Sequence, residues 1–437
     1  MIRVPGDKSI THRALLLSVV ARGESKLRGL LAGADCQSTA SVLRELGAKV
    51  PEIPVDGSEV RIEGVGFSGL RSPGLALDCG NSGTTARLLL GLLSGLPLKA
   101  RVTGDGSLRS RPMRRVTEPL SEMGAEFWES GEPDRLPLII KGGALKKFSY
   151  TSSLASAQVK SAILLAGLAG RVESVVVEPG RSRDHTERIL RRMGAQVSES
   201  VTPEGWEVGL RVAPSELEPL DLTVPGDFSS AAFLIALALL GGSGDELRIQ
   251  NVGLNPTRTG LLDLLREMGG KIEVQNLREA DDPKGEPAGD LIISPSDLYG
   301  VSVGGELIPL LIDEIPVLAV VAALASGVTE IRDAAELRVK ETDRISALAS
   351  NLTSVGVRVE ELPDGLRIEG QTGDLGGRIS ARGDHRIAMA FGVLGAIGAH
   401  DVSVDDPGVA EVSFPGFWEL IALVSDSDSV ESWKDRG

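Results

Sequence analysis

The sequence predicts an α/β protein of two domains, built from six repeat units with apolar helices at the centre and sheets around them. Three observations lead to this fold class: two interleaved helix–Gly–strand repeats, a set of helices apolar on every face, and a duplicated VPGD segment.

The first repeat reads LRELGAKV at 43–50, LSEMGAEF at 120–127, LRRMGAQV at 190–197, LREMGGKI at 265–272 and LTSVGVRV at 352–359. Each copy closes an amphipathic helix and opens a strand. The intervening Gly47, Gly124, Gly194, Gly269 and Gly356 lie 70 to 87 residues apart. Glycine suits the left-handed residue that ends a helix. The second repeat ends apolar helices at Gly23, Gly95, Gly170, Gly242, Gly327 and Gly398, spaced by 71 to 85 residues. Units of about 73 residues fill the 437-residue chain six times.

The helices of the second repeat read HRALLLSVVA, TARLLLGLL, VKSAILLAGL, SAAFLIALALL, IPVLAVVAALA and RIAMAFGVLGAI. A helix apolar all round is buried all round, so these belong inside and the amphipathic ones outside. VPGDKS at 4–9 is echoed by VPGDFS at 224–229, and the chain is expected to cross between domains at each. The first strand then joins the C-terminal half. The expected boundaries are a discontinuous domain, 1–7 with 227–437, an inserted domain, 8–226, and a hinge at 5–9 and 224–229. The polar tail from Ser425 is expected to fray.

Composition narrows the function. Lys and Arg number 46 against 61 Asp and Glu, a net charge of −15, and aromatics are 3 %. A general nucleic-acid binder carries a basic surface and stacking aromatics, so that class is excluded. Apolar residues at 42 % with 24 % charged describe a globular chain. Two cysteines, Cys36 and Cys79, exclude a disulfide framework and a Cys-rich metal site. The start, MIRVPGDKS, lacks the pattern of a signal peptide. The longest apolar runs, Ala231–Gly242 and Val317–Ala325, fall short of the roughly 18 residues that span a bilayer. A cytoplasmic protein with no membrane partner is expected.

Basic residues cluster in Gly- and Ser-rich loops at helix starts. GDKS at 6–9 precedes Arg13, and GNSGTTAR covers 80–87. GDGSLRSRPM at 104–113 carries Arg109 and Arg111, and SLASAQVK at 153–160 offers Ser156, Gln158 and Lys160. RVKETDR at 338–344 holds Lys340, Glu341 and Arg344; GDHRIAM at 383–389 holds His385 and Arg386. Helix N-termini offer free N–H groups and a positive dipole end to anions, and Arg adds a bidentate fork. No glycine cluster fits a Walker or dinucleotide fingerprint. The expected ligands are small anions, more than one, carrying phosphate and carboxylate.

In order along the chain, PGDKSITHRALLLS, GNSGTTARLL, GDGSLRSRP, SAQVKSAILLAGL, RVKETDR and GDHRIAMA resemble the EPSP synthase (3-phosphoshikimate 1-carboxyvinyltransferase) family of enolpyruvyl transferases. The resemblance implies two domains, each an inside-out α/β barrel of three βαβαββ units. It implies transfer of the enolpyruvyl group of phosphoenolpyruvate to the 5-hydroxyl of shikimate 3-phosphate, releasing phosphate through a tetrahedral intermediate. No metal or cofactor is implied, and a monomer is expected. By the same resemblance Lys8 touches both substrates. Ser9, Arg13, Ser156, Gln158, Ser182, Asp313 and Lys340 belong to the shikimate 3-phosphate site. Gly83, Arg111, Gln158, Arg344 and Arg386 belong with Lys8 to the phosphoenolpyruvate site. Asp313, in LIDEIP, and Glu341 correspond to acid/base carboxylates, Asp313 for the hydroxyl proton and Glu341 for the C3 proton.

The chain departs from the family in places. Val412 stands where many members have a lysine, and Glu336 where Asn is common. SAQVK at 156–160, RDHTE at 183–187 and NPTR at 255–258 resemble, together with GDKS, the glyphosate-tolerant class II branch. Gly83, however, lacks the methyl that Ala would push into the inhibitor pocket. Two alternatives stand beside this reading. A UDP-N-acetylglucosamine enolpyruvyl transferase uses a loop Cys near the Arg-rich motif, and 104–116 contains none. A non-catalytic anion-binding relative would have no use for the Asp313–Lys340–Glu341 set.

Overall fold

The computed structural model describes residues 1–212, 216–279, 282, 284–398 and 400–425; the polar tail beyond Ser425 lies outside them. The six apolar segments fold as the helices Lys8–Val20, Gly83–Ser94, Ala157–Gly170, Phe228–Leu239, Ile315–Leu324 and His385–Ala396. Nearly every residue in them is buried, as continuous apolarity requires. The amphipathic helices Ala34–Glu45, Arg114–Met123, Gly260–Glu267 and Arg344–Ser354 keep an exposed face, whereas His185–Arg192 is buried at every residue from 185 to 190. Their closing glycines, Gly47, Gly124, Gly194, Gly269 and Gly356, all take positive φ between 89° and 122°. No single helix among the described residues is long and apolar enough to cross a membrane.

Glycines of the second series divide by cause. Gly23 and Gly327 turn the chain at positive φ. Gly95 does not; it allows two backbones to touch. A Cβ there would lie 2.2 Å from Gly170 N, and one at Gly91 would lie 2.3 Å from the Ala162 carbonyl oxygen. The Gly83–Ser94 and Ala157–Gly170 helices therefore pack main chain against main chain.

Six small sheets are present among the described residues. Three share one order. Leu77–Asp78 lies parallel to Lys99–Thr103, followed by antiparallel Leu138–Lys141 and Glu126–Glu129. Phe148–Thr151, Ser174–Glu178, Gly205–Val212 and Gln196–Thr202 repeat this, as do Ser302–Val303, Val328–Ile331, Gly365–Glu369 and Arg358–Leu362. In each, an apolar helix links the parallel pair and an amphipathic helix precedes the closing hairpin. The chain-order pattern is βαβαββ. In two of the three remaining sheets the parallel partner comes from a distant part of the chain. Asp221–Thr223 pairs parallel with Arg22–Arg28, and Ile2 bridges Ile249 in parallel.

The chain divides into two compact units. One comprises Met1–Pro5, Pro225–Ala280 and Pro287–Gly437; the other comprises Gly6–Val224 and Asp281–Glu286. Each has its own apolar core, centred on its three apolar helices.

Candidate active site

The Gly-Asp pairs noted in the sequence have a local explanation. Asp7, Asp105, Asp227 and Asp384 are N-caps, their carboxylates accepting from the N–H of Ile10, Leu108, Ser229 and Arg386 at 2.7 to 2.9 Å. The helix starts expected to await anions are thus partly satisfied by the protein's own carboxylates. Cations nearby, not bare helix ends, must supply most of the positive charge.

Within the Gly6–Val224 unit, Lys8 opens the first helix and its ammonium lies 3.1 Å from Asp35 Oδ2. Asp35 had no signal in the sequence beyond its place at a helix start. Arg13 is buried; it donates to the Ser9 carbonyl (2.9 Å), Thr186 Oγ1 (2.6 Å) and Ser161 Oγ (2.9 Å). Burial pushes its pKa down to about 10, against the pull of Glu187 and Asp7.

Gly83 begins its helix beside two guanidiniums. A Cβ there would meet Arg87 Nη1 at 2.7 Å and Arg111 Nη1 at 3.4 Å. Arg87 donates to Gln158 Oε1 at 2.8 Å, and Gln158 donates to Thr84 Oγ1 at 3.0 Å. Arg111 donates to Asn81 Oδ1 at 2.7 Å and Ser107 Oγ at 3.2 Å. Gly83, Arg111 and Gln158 therefore form one cluster, joined through the buried Arg87. Arg87 lies within GNSGTTAR, and its spacing one turn after Gly83 is the signal that marks it.

Ser156 and Ser182 share a carboxylate. Glu178 Oε1 accepts the Ser156 N–H at 2.6 Å, and Glu178 Oε2 accepts the Ser182 hydroxyl at 2.7 Å. Lys160, offered above as an anion-loop lysine, is instead fully buried between Glu178 (3.1 Å) and Glu187 (2.8 Å). Burial pulls its pKa down, but Glu187 and Glu178 more than offset this and hold it above the ordinary lysine value. The intramolecular carboxylates outcompete solvent for this ammonium, so it has no access to a ligand. Arg109 is exposed and donates to the Asp105 carbonyl at 3.4 Å.

In the other unit three cations converge on Asp313. Lys340 Nζ lies 3.8 Å from its Oδ1, Arg344 Nη1 3.5 Å from the same oxygen, and Arg386 Nη2 3.8 Å from Oδ2. Arg386 also donates to the Asp313 carbonyl at 2.7 Å. Arg344 is gripped by Asp384 through Nε (2.8 Å) and Nη2 (3.2 Å), and by Glu341 at 2.7 Å. Burial alone would lower its pKa; Asp384, Glu341 and Asp313 more than offset this and raise it above the usual arginine value. Glu336 lies 3.5 Å from the Lys340 ammonium. Beneath, Ser229, Arg258 and Glu314 form a buried polar group against Arg386, with Arg258 donating to Ser229 Oγ at 2.6 Å. Only tertiary contact identifies these three, although VPGDFS and NPTR were visible.

Among the described residues no group of His, Cys, Asp and Glu is arranged to hold a metal ion. Cys36 and Cys79 are fully buried, and burial pushes the Cys79 thiol well up.

A family model described as EPSP synthase (3-phosphoshikimate 1-carboxyvinyltransferase) matches residues 1–421. The 3-phosphoshikimate 1-carboxyvinyltransferase of Desulfitobacterium hafniense is 50 % identical over 426 residues, 98 % of this chain and 95 % of that protein. That of Gloeobacter violaceus is 50 % identical over 425 residues, 97 % of this chain and 96 % of its own length. Among solved structures, EPSP synthase from Acinetobacter baumannii superposes with a TM-score of 0.81 at 40 % identity, covering 97 % of this chain and 95 % of that one. The enolpyruvyl transferase NikO from Streptomyces tendae shares the fold, with a TM-score of 0.75 at 20 % identity over 97 % of this chain and 94 % of its own. Matched along nearly its whole length and at half its positions, the chain belongs to the EPSP synthase (3-phosphoshikimate 1-carboxyvinyltransferase) family.

Proposed function

We infer that the chain transfers the enolpyruvyl group of phosphoenolpyruvate to shikimate 3-phosphate, a step of the shikimate pathway to the aromatic amino acids. Two polyanions repel each other, so fixed cations must hold both in attacking geometry. In one unit Lys8, Ser9, Arg13, Ser156, Gln158 and Ser182 serve shikimate 3-phosphate, and Gly83, Arg111 and Gln158 serve phosphoenolpyruvate. In the other, Arg344 and Arg386 serve phosphoenolpyruvate, and Asp313 and Lys340 serve shikimate 3-phosphate.

One observation supports the acid/base assignment. Of the carboxylates around Arg344, the Asp384 side chain is 0 % exposed, whereas Asp313 keeps 15 % and Glu341 21 %. Asp384 orients the guanidinium, while Asp313 and Glu341 remain open to a reactant. In the proposed sequence Asp313 accepts the 5-hydroxyl proton as that oxygen bonds to C2 of phosphoenolpyruvate, and Glu341 protonates C3. The tetrahedral ketal then returns the C3 proton to Glu341 as phosphate leaves with the C2–O bonding pair. Lys340, Arg344 and Arg386 meet the negative charge of the reactants.

Each unit is further proposed to be an inside-out α/β barrel. Its buried central helices and the alternating burial of strands such as Lys99–Thr103 support this. A monomer in the cytoplasm completes the proposal; two buried cysteine thiols suit a reducing compartment. Phosphate release is the test. It should require both substrates and cease when either is omitted; release with neither shikimate 3-phosphate nor an equivalent acceptor would refute the reaction.

A further inference from the structure

We propose that the buried Lys160–Glu178–Glu187 cluster is a positioning device for shikimate 3-phosphate, with Glu178 setting the spacing of Ser156 and Ser182. The inference rests on the reading of these two serines as ligands of that substrate. Glu178 ends the strand Ser174–Glu178, which is paired on both sides, so its backbone is fixed. Its two oxygens go to two different loops, one to the Ser156 N–H and one to the Ser182 hydroxyl. Lys160 lies one turn after Ser156 on the same helix. It binds Glu178 and also donates to the Ser182 carbonyl at 3.3 Å. Ser182 is thus tied twice, and Ser156 once, to one fully buried ionic cluster.

Stability does not explain the cluster. Two carboxylates and one ammonium are wholly withdrawn from water, and apolar side chains of similar volume generally serve a core at least as well. What the ions provide is direction, because both oxygens of Glu178 and the ammonium of Lys160 bond to the loops that carry Ser156 and Ser182. Ser156 is consistent with this. It occupies the N-cap of the Ala157–Gly170 helix, yet its side chain makes no capping bond, so its hydroxyl is not consumed by the helix. Ser182 differs. Its proton is given to a carboxylate that can only accept, so Ser182 Oγ presents lone pairs. It fits a hydroxyl of the ligand, whereas Ser156 fits a phosphate oxygen.

The main test is Glu178→Asp, which keeps the charge but withdraws the carboxylate by one methylene from both serines. Shikimate 3-phosphate is titrated without phosphoenolpyruvate. Affinity should fall about tenfold, the cost of one buried hydrogen bond. The KM for phosphoenolpyruvate at saturating shikimate 3-phosphate should stay within about twofold of wild type. Glu187→Gln touches Lys160 but neither serine. It should lower the urea midpoint and weaken affinity less than Glu178→Asp does, and equal affinity losses in the two variants would overturn the proposal. Should Glu178→Asp not fold, Lys160→Arg is the second variant: it keeps the charge but displaces it from the Ser182 carbonyl. Unchanged affinity there would overturn the proposal, and reduced affinity would support it. Ser156→Ala separates the layers. Normal affinity in that variant removes the reading of Ser156 as a ligand; weakened affinity beside an unaffected Glu178→Asp defeats the positioning role alone.

Discussion

Replacing Gly83 by Ala should selectively impair phosphoenolpyruvate binding. Gly83 is the first residue of its helix and does not take positive φ, so the backbone accepts alanine. The methyl is the difficulty, since its carbon would stand 2.7 Å from Arg87 Nη1. Relaxation to an ordinary contact of about 3.5 Å requires the guanidinium to retreat by roughly 0.8 Å. Arg87 is buried and cannot swing into water, and its 2.8 Å bond to Gln158 would stretch past hydrogen-bond range. Gln158 cannot simply follow, because it is held by Thr84 at 3.0 Å. Losing one charge-assisted buried bond costs about 1.5–3 kcal/mol, or about 10- to 150-fold. Initial rates with phosphoenolpyruvate varied at saturating shikimate 3-phosphate should show that rise in KM, with a smaller loss of shikimate 3-phosphate affinity through Gln158 and the urea midpoint little changed. A KM within about twofold of wild type would refute the steric argument.

Asp313→Ala leaves Lys340, Arg344 and Arg386 without their shared carboxylate. Single-turnover formation of the tetrahedral intermediate should slow by about 10²–10⁴ while phosphoenolpyruvate binds as well or better; near-normal intermediate formation would remove Asp313 from the base role. Glu341→Gln should likewise block exchange of solvent deuterium into C3 of phosphoenolpyruvate, and retained exchange would reassign that proton. Burial lowers the His12 pKa well below 6.5, with Lys8 and Arg13 adding to the effect. The folded state therefore refuses a proton that the unfolded chain accepts, and this stability contribution is intact above about pH 6.5 and lost as pH falls. His12→Asn should flatten the fall in urea midpoint between about pH 6.5 and 5, by up to about 1.4 kcal/mol per pH unit; an unchanged slope would exclude His12 as a source. Thiol alkylation of the native protein should leave activity intact, since Cys36 and Cys79 are fully buried; rapid inactivation would reopen the cysteine-dependent alternative.

Periodicity made much of the fold legible. The helix Phe228–Leu239 is apolar at every register, and no surface helix can be, so its burial followed from composition alone. The five helix-closing glycines were equally plain because left-handed backbone selects for glycine locally. Gly95 looked like a sixth case and proved to be a packing residue, a difference visible only once Gly170 lies 2.2 Å from its would-be Cβ.

The same limit governs the site. The motifs pointed to Lys8, Gly83, Arg111, Ser156, Gln158, Glu341, Arg344 and Arg386, and the family resemblance added Asp313; each has charged or polar neighbours. Motif spacing did not separate a partly exposed lysine from a fully buried one. Lys160 stood in the same kind of loop as Lys8, yet one is fully buried between two glutamates and the other is partly exposed beside one aspartate. That distinction depends on Glu178 and Glu187, 18 and 27 residues further along the chain.

The sequence by itself determined which segments are helices, which of those are interior, and which loops concentrate positive charge, because propensity, periodicity and composition act over a few residues. Tertiary structure alone decided the partners of each charge. Asp384 orients Arg344 across 40 residues, Glu178 ties Ser156 to Ser182, and Arg87 joins Gly83 to Gln158. A charge in water acts weakly and in all directions; only burial beside a particular neighbour gives it an address.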